Sequence, residues 1–264
     1  MHRIIAAAAV LLAAVALSAC GGSSSSDGGA VVGVPGVVGA ESGTIRLTHI
    51  DALEGRRLGD ELADRLGVPV TLENDINLAA VGEHAQGVAR GVDDFAFLSV
   101  GTGLGAGLVL RGELHRGRHG AAGEVDYVSA GLGIDIDPSA ERVAALAAER
   151  GVAGSTRDVR SVFAAARMGD EGARGVAEEV ARRIALHVTP IAAVTDVELV
   201  VLGGGLGANA DLLLAPVRSM LAGWLPYPPR VEVSSLGDAA VLAGALAVGL
   251  RSALESVFPR EPST

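Results

Sequence analysis

Apolar and polar positions along the chain switch between a two-residue and a helical period, and the switching lays out strands and helices in turn. Residues 30–38 form an apolar, β-branched run interrupted at Pro35-Gly36, the pattern of a strand entering a turn. Residues 53–66 repeat apolar positions at helical spacing, and Gly67 closes them. Residues 68–72 predict a short buried strand that ends at Glu73-Asn74-Asp75. Residues 77–90 predict a helix with Leu78, Val81, Ala85 and Val88 on one side. A strand follows at 95–100, then the glycine turn Gly101-Thr102-Gly103-Leu104-Gly105, then a hairpin of 107–110 and 113–115 around Arg111-Gly112. Helices are expected at 139–150, 156–167 and 171–194, and a buried strand at 197–202 ends in Gly203-Gly204-Gly205. A helix at 209–222, a proline-rich link, a strand at 231–234 and a closing helix at 238–257 complete the pattern. Alternating strands and helices define an α/β architecture, with no solenoid-length repeat.

Composition narrows what such a fold does. Hydrophobic residues make up 49% and charged residues 20%, which excludes a disordered chain. The 37 glycines follow no triplet period, so they point to turns and backbone-mediated binding rather than collagen. The net charge of −10 and an aromatic content of 3% leave neither the basic footprint nor the stacking surface of a nucleic-acid binder. The single cysteine, Cys20, leaves no internal disulfide and no cysteine-based zinc site.

That cysteine closes a distinct N-terminal segment. His2 and Arg3 precede an apolar run over 4–17, then Leu17-Ser18-Ala19-Cys20 and a Ser/Gly tract. The run is shorter than the roughly 20 residues of a spanning helix but suits a signal peptide. Its end resembles a bacterial lipobox, which makes Cys20 the expected lipidation site and the lipid anchor the only expected membrane contact. Residues 1–20 are thus read as a signal segment and 21–30 as linker. The cell membrane is the expected location, with the cytoplasm as the alternative if the start is misassigned.

Candidate chemistry gathers at strand ends. The Gly101–Gly105 turn joins two strands, so it is neither a dinucleotide fingerprint nor a P-loop, yet its backbone N–H groups and the Thr102 hydroxyl can approach an anion. Gly203-Gly204-Gly205 joins a strand to a helix, whose N-terminus favours negative or polar ligands. Either turn, taken alone, reads equally as a structural turn. Asp75 follows a buried strand and opens a helix, at the edge where open α/β sheets bind ligands; Asn74 or Asp75 alone also reads as an N-cap. Glu124 suits hydrogen bonds to sugar hydroxyls, or is a solvated loop carboxylate. His115 and His119 lack the partners of a metal site and read as loop histidines.

Taken in order, the segments Val34-Pro35-Gly36, Glu73-Asn74-Asp75-Ile76-Asn77, Gly101-Thr102-Gly103-Leu104-Gly105, Arg116-Gly117, Gly120-Ala121-Ala122-Gly123-Glu124, Gly203-Gly204-Gly205 and Gly237-Asp238-Ala239-Ala240 carry a resemblance. The chain resembles the ROK family of bacterial sugar kinases and sugar-responsive repressors over residues 31–250. The resemblance implies an actin/hexokinase-like (RNase H-like) two-lobe fold, with a partial N-terminal lobe over 31–95, a C-terminal lobe over 96–258 and a tail at 259–264. It implies Asp75 as the base that takes a proton from the sugar hydroxyl attacking ATP, and Asn74 and Glu124 beside it as sugar ligands. Gly101, Thr102 and Gly103 match a phosphate loop, Gly203, Gly204 and Gly205 an adenosine-side loop, and 237–240 packs near the same nucleotide end.

Three departures shape the expectation. The family's Asp-x-Gly-Gly-Thr hairpin, which contacts the ATP phosphates, has no counterpart here; Asp27-Gly28-Gly29-Ala30 reads as linker. Tyr127 stands where the family's zinc-binding histidine falls, and no downstream cysteine exists, so zinc is not expected. No helix-turn-helix segment is found. The resulting expectation is a hexose-binding, kinase-like protein of the regulator branch with weak phosphotransfer. The alternatives are an ATP- and Mg-dependent hexose kinase and a partner-completed fragment. A homodimer is a candidate assembly, and nucleic acid is not an expected partner.

Overall fold

The structure, a computed structural model, describes residues 29–129, 133–152 and 158–258. The expected signal segment with Cys20, residues 21–28 of the linker and the tail at 259–264 lie outside them. The first part of the fold holds β1 (Ala30–Val34), β2 (Val37–Val38), β3 (Ile45–Arg46), α1 (Leu58–Leu66), β4 (Val70–Asn74) and α2 (Asp75–Gln86). β1 and β4 run parallel, with Ala30 opposite Val70 and Val34 opposite Asn74. Side chains of alternate parity leave a strand on opposite faces. Val32 and Val34 accordingly join Ile45, Leu53 and the apolar side of α1, while Val31 packs with Leu78 of α2 and Ala245.

The larger part holds β5 (Phe95–Val100), β6 (Leu104–Leu110), β7 (Glu113–Leu114), a 3₁₀ turn (Val125–Ser129), α3 (Ala140–Glu149), α4 (Val159–Arg167) and α5 (Glu171–Thr195). It continues through β8 (Leu199–Gly203), the one-turn α6 (Gly204–Gly207), α7 (Ala210–Trp224), β9 (Arg230–Val233), a second 3₁₀ turn (Gly237–Ala239) and α8 (Ala240–Val257). The five strands order as β7-β6-β5-β8-β9, with β5, β8 and β9 parallel and β6 and β7 antiparallel to their neighbours. Ala96, Leu98, Val100, Val200 and Leu202 meet α3, α4, α5 and α7 in the main core. Phe95, Phe97, Leu199 and Val201 face the other way, onto Ala79 and Ala80 of α2 and Ala240. Both faces of the sheet are covered, which is why these strands read as nearly unbroken apolar runs.

Two expected helices differ from those observed. The helix predicted over 53–66 begins only at Leu58. Residues before it fold back on β3 instead, where the Ile45 N–H donates to the Arg56 carbonyl at 2.9 Å and the Gly55 N–H to the Ile45 carbonyl at 2.8 Å. Leu53 is buried from this turn, so its apolar character reports the core and not a helix. The helix predicted over 77–90 spans Asp75–Gln86, and its buried face carries Asn77, Leu78, Ala79, Ala80, Gly82 and Glu83, not Val81, Ala85 and Val88. Packing between β6 and α8 rewards small residues there, whereas the amphipathic reading assumed a single buried side.

Candidate functional site

The parallel pairing of β1 with β4 brings two strand ends to one edge. Val34 lies opposite Asn74, so the Pro35-Gly36 turn sits beside the start of α2. Asn74 is the N-cap: its Oδ1 accepts the Asn77 N–H at 3.0 Å, and its Nδ2 donates to the Gly36 carbonyl at 3.0 Å. Each end of that amide retains one hydrogen-bonding position. Asp75 is the first residue of the helix, and its Oδ1 accepts the Ile76 N–H at 2.9 Å. Burial pushes the Asp75 carboxyl above its ordinary range, opposed by backbone hydrogen bonds and by the nearby His49.

Glu124 reaches the same place from the loop after β7. The Ala106 N–H of β6 donates to the Gly123 carbonyl at 2.8 Å. Gly123 has φ of 96°, and a Cβ there would lie 1.8 Å from the Ala106 carbonyl oxygen, so only glycine permits this junction. Burial first, then repulsion from Asp126 and Asp75, pushes the Glu124 carboxyl up, while His49 opposes. Asp75, Glu124 and His49 therefore share one electrostatic neighbourhood. A partly buried carboxylate beside a second one is suited to accept a proton from a hydroxyl.

The two glycine turns meet at the end of the large sheet. β5 and β8 are parallel neighbours, with Ser99 opposite Gly203, which places both following turns at one edge. A Cβ on Gly101 would lie 3.5 Å from the Gly205 nitrogen. Gly204 takes φ of 77°, and a Cβ there would press to 2.5 Å from the Val100 carbonyl oxygen. Above them opens a cavity of about 810 Å³ lined by Gly101, Thr102, Gly205 and Asn209, with α3 and α4 on its far wall. Gly103 and Gly203 shape the turns without lining it; the Gly103 carbonyl accepts the Gly101 N–H at 3.0 Å. Ile76 lies against Gly105 of β6, so the residue after Asp75 touches the first glycine turn. The volume suits a small organic ligand of nucleotide size, and exposed backbone at two glycine turns suits its phosphates.

Several site residues escaped the sequence reading. His49 carries no local motif; Thr48 beside it packs on Gly36. Glu73 is buried, and Arg116 meets it at 2.6 Å. A charged residue directly before the Asn74-Asp75 helix start was the available signal. Arg167, at the cavity wall, is held by Asp211 at 2.6 Å and Asn209 at 2.8 Å. His115 and His119 join no group of three or more metal-ligating side chains among the described residues. Tyr127 stands exposed on the first 3₁₀ turn.

A mixed sheet with glycine turns at the ends of parallel strands, joined to a smaller lobe through α2 and α8, is the actin/hexokinase-like fold. Residues 20–251 match the ROK family, and the chain belongs to it. The bifunctional enzyme NanE/NanK of Brucella melitensis is 37% identical over 193 residues, which cover 71% of this chain and 36% of that one. The xylose repressor of Caldicellulosiruptor bescii is 28% identical over 256 residues, covering 86% and 63%. The chain thus spans less than two thirds of either relative. The crystal structure of a ROK family glucokinase from Streptomyces griseus, in complex with glucose and AMPPNP, superposes with a TM-score of 0.74 at 27% identity, over 83% of this chain and 80% of that one.

Proposed function

We propose that this chain binds a hexose between Asp75, Glu124 and Asn74, and that it serves as a sugar-sensing member of its family with weak phosphotransfer. The observation that carries the reading is that Asp75 at the start of α2 and Glu124 after the Gly123 junction are both partly buried and feel each other's charge. Two carboxyls and the adjacent Asn74 amide, whose oxygen and nitrogen each keep a free hydrogen-bonding position, offer acceptors and a donor, as a polyol needs. Weak transfer is the part of this proposal that concerns the nucleotide side. Gly101, Thr102 and Gly205, which would hold a nucleotide there, come from the turns that follow β5 and β8, opposite α3 and α4. Positioning of the phosphate, worth about 7–11 kcal/mol of barrier in a well-ordered site, is the quantity on which transfer turns.

The second reading is an ATP-dependent hexose kinase, favoured by the contact of Ile76 with the glycine turn beside the cavity. ATP with Mg would supply the phosphoryl group; Asp75 would take the hydroxyl proton. Calorimetry against a hexose panel, with a coupled ADP-release assay, separates the two. The proposal expects measurable hexose binding with ADP release near background. Turnover of about 1–100 s⁻¹ that falls by about 10²–10⁴ in Asp75→Asn establishes the kinase instead. Attachment to the cell membrane through Cys20 belongs to the proposal as well. Detergent partition that is lost in Cys20→Ser is its expected signature, and a soluble product retaining Met1 overturns it.

A further inference from the structure

We propose that Glu73 and Arg116 form a positioning clamp that sets the spacing between Asp75 and Glu124; the inference rests on the hexose-site reading above. The Glu73 side chain is only 6% exposed. A carboxylate taken out of water persists when charge and hydrogen bonds replace its hydration. Glu73 has both. Its Oε1 accepts the Asn74 N–H and the Asn77 Nδ2, each at 2.9 Å, and its Oε2 accepts Arg116 Nε at 2.6 Å. One oxygen grips residues on either side of Asp75. The other grips the loop that ends at Glu124.

The loop transmits that grip. The Arg116 carbonyl accepts the Ala122 N–H at 3.1 Å, closing the segment just before Gly123 and Glu124. The ion pair is not the sole tie on either element. Asn74 already caps α2, and the loop is already tied to β6 through His115 to Leu108 at 2.7 Å and through Ala106 to Gly123. What the pair adds is a direct tie across the gap between the two acidic residues. The ends are also unequal: Arg116 is 47% exposed and free to swing into water, whereas Glu73 is enclosed. Loss of the arginine would leave the helix end in place and release the loop.

The test uses Glu73→Gln, Arg116→Gln, the double variant, and Arg118→Ala as control, since Arg118 is solvent-exposed and 3.9 Å from Glu41. Titration calorimetry with glucose, galactose and N-acetylmannosamine reads affinity and preference. Each clamp variant is expected to weaken binding by roughly ten- to a hundredfold, the scale of a charged hydrogen bond. Preference among the three sugars should flatten, the double variant should be no weaker than the worse single one, and Arg118→Ala should bind as wild type. Unchanged affinity in either single variant, or additive losses in the double, overturns the clamp. A second measurement needs no sugar. Because the Asp75 charge reaches Glu124, the carboxyl titration of Glu124, followed by NMR in a chain that remains folded, should shift in Arg116→Gln. An unmoved titration overturns the clamp. A shifted titration in a chain that binds no hexose sustains the clamp and overturns the hexose site.

Discussion

The two halves of the candidate site are built by different means. Around Asp75 and Glu124 the walls are side chains, locked by side-chain hydrogen bonds from Glu73, Asn74 and Arg116. Around the large cavity the near wall is backbone: two glycine turns brought together by strand pairing, with the Thr102 hydroxyl beside them. A polyol differs from its isomers by the direction of single hydroxyls, which fixed donors and acceptors can read. A phosphate chain offers the same oxygens whatever it is attached to, and repeated N–H groups suffice. The first half therefore depends on side-chain identity, and the second on backbone conformation.

Substitutions should break this contrast in opposite ways. The largest effect is expected at Gly204, where any side chain meets both the left-handed φ and the Val100 carbonyl. Gly204→Val should cost about 3 kcal/mol or more in stability, read as a loss in denaturant midpoint. Next comes Asn74→Ala, which removes an N-cap worth typically about 1 kcal/mol and the tie to Gly36. It should lower both the melting temperature and hexose affinity, whereas a side chain serving recognition alone would lower only the second.

Thr102→Ala tests the backbone side. The residue is exposed at the cavity edge, so stability should stay within about 0.5 kcal/mol. Affinity for AMPPNP should fall only about two- to tenfold, the value of one neutral hydrogen bond. A hundredfold loss would show that the cleft reads through side chains after all. The smallest effect is a gain. Asp75 has its carboxyl raised by burial, so the folded state binds this proton more tightly than the unfolded chain. Stability from this group is present below the ordinary carboxylate range and is lost as pH rises through the raised native value. Asp75→Asn should thus raise the melting temperature near neutral pH, by about 2–4 °C per kcal/mol relieved, and the gain should vanish on acidification. An equal gain at all pH values would mean that the carboxylate is not desolvated.

Much of the architecture was legible because it rests on local periodicity. The strands at 95–100 and 197–202 read as buried apolar runs, and the glycine turn after the first reads as joining two strands, which Val100 opposite Leu104 bears out. Family and fold followed from the order of the motifs and stand confirmed by the match over 20–251 and by the glucokinase superposition. Local reading failed where burial is set by distant partners. Leu53 looked helical because it is apolar at the right spacing, yet β3 holds it in a turn. Val88 looked like core, yet α2 ends at Gln86 and Val88 is exposed.

The site divides along the same line. Asn74, Asp75, Glu124 and the two glycine turns stand out in the amino-acid order, because strand ends, helix starts and glycine runs are local features. Nothing in that order joins Glu73 to Arg116, or sets His49 beside Asp75 and Glu124. Those neighbours meet only when β1 pairs with β4, the 115–124 loop closes on β6, and Gly36 receives Thr48. Chain order specifies which groups are available and what backbone each prefers. Their desolvation and mutual charge depend on distances that exist only after the sheets assemble, since both burial and Coulomb interaction are properties of position in space.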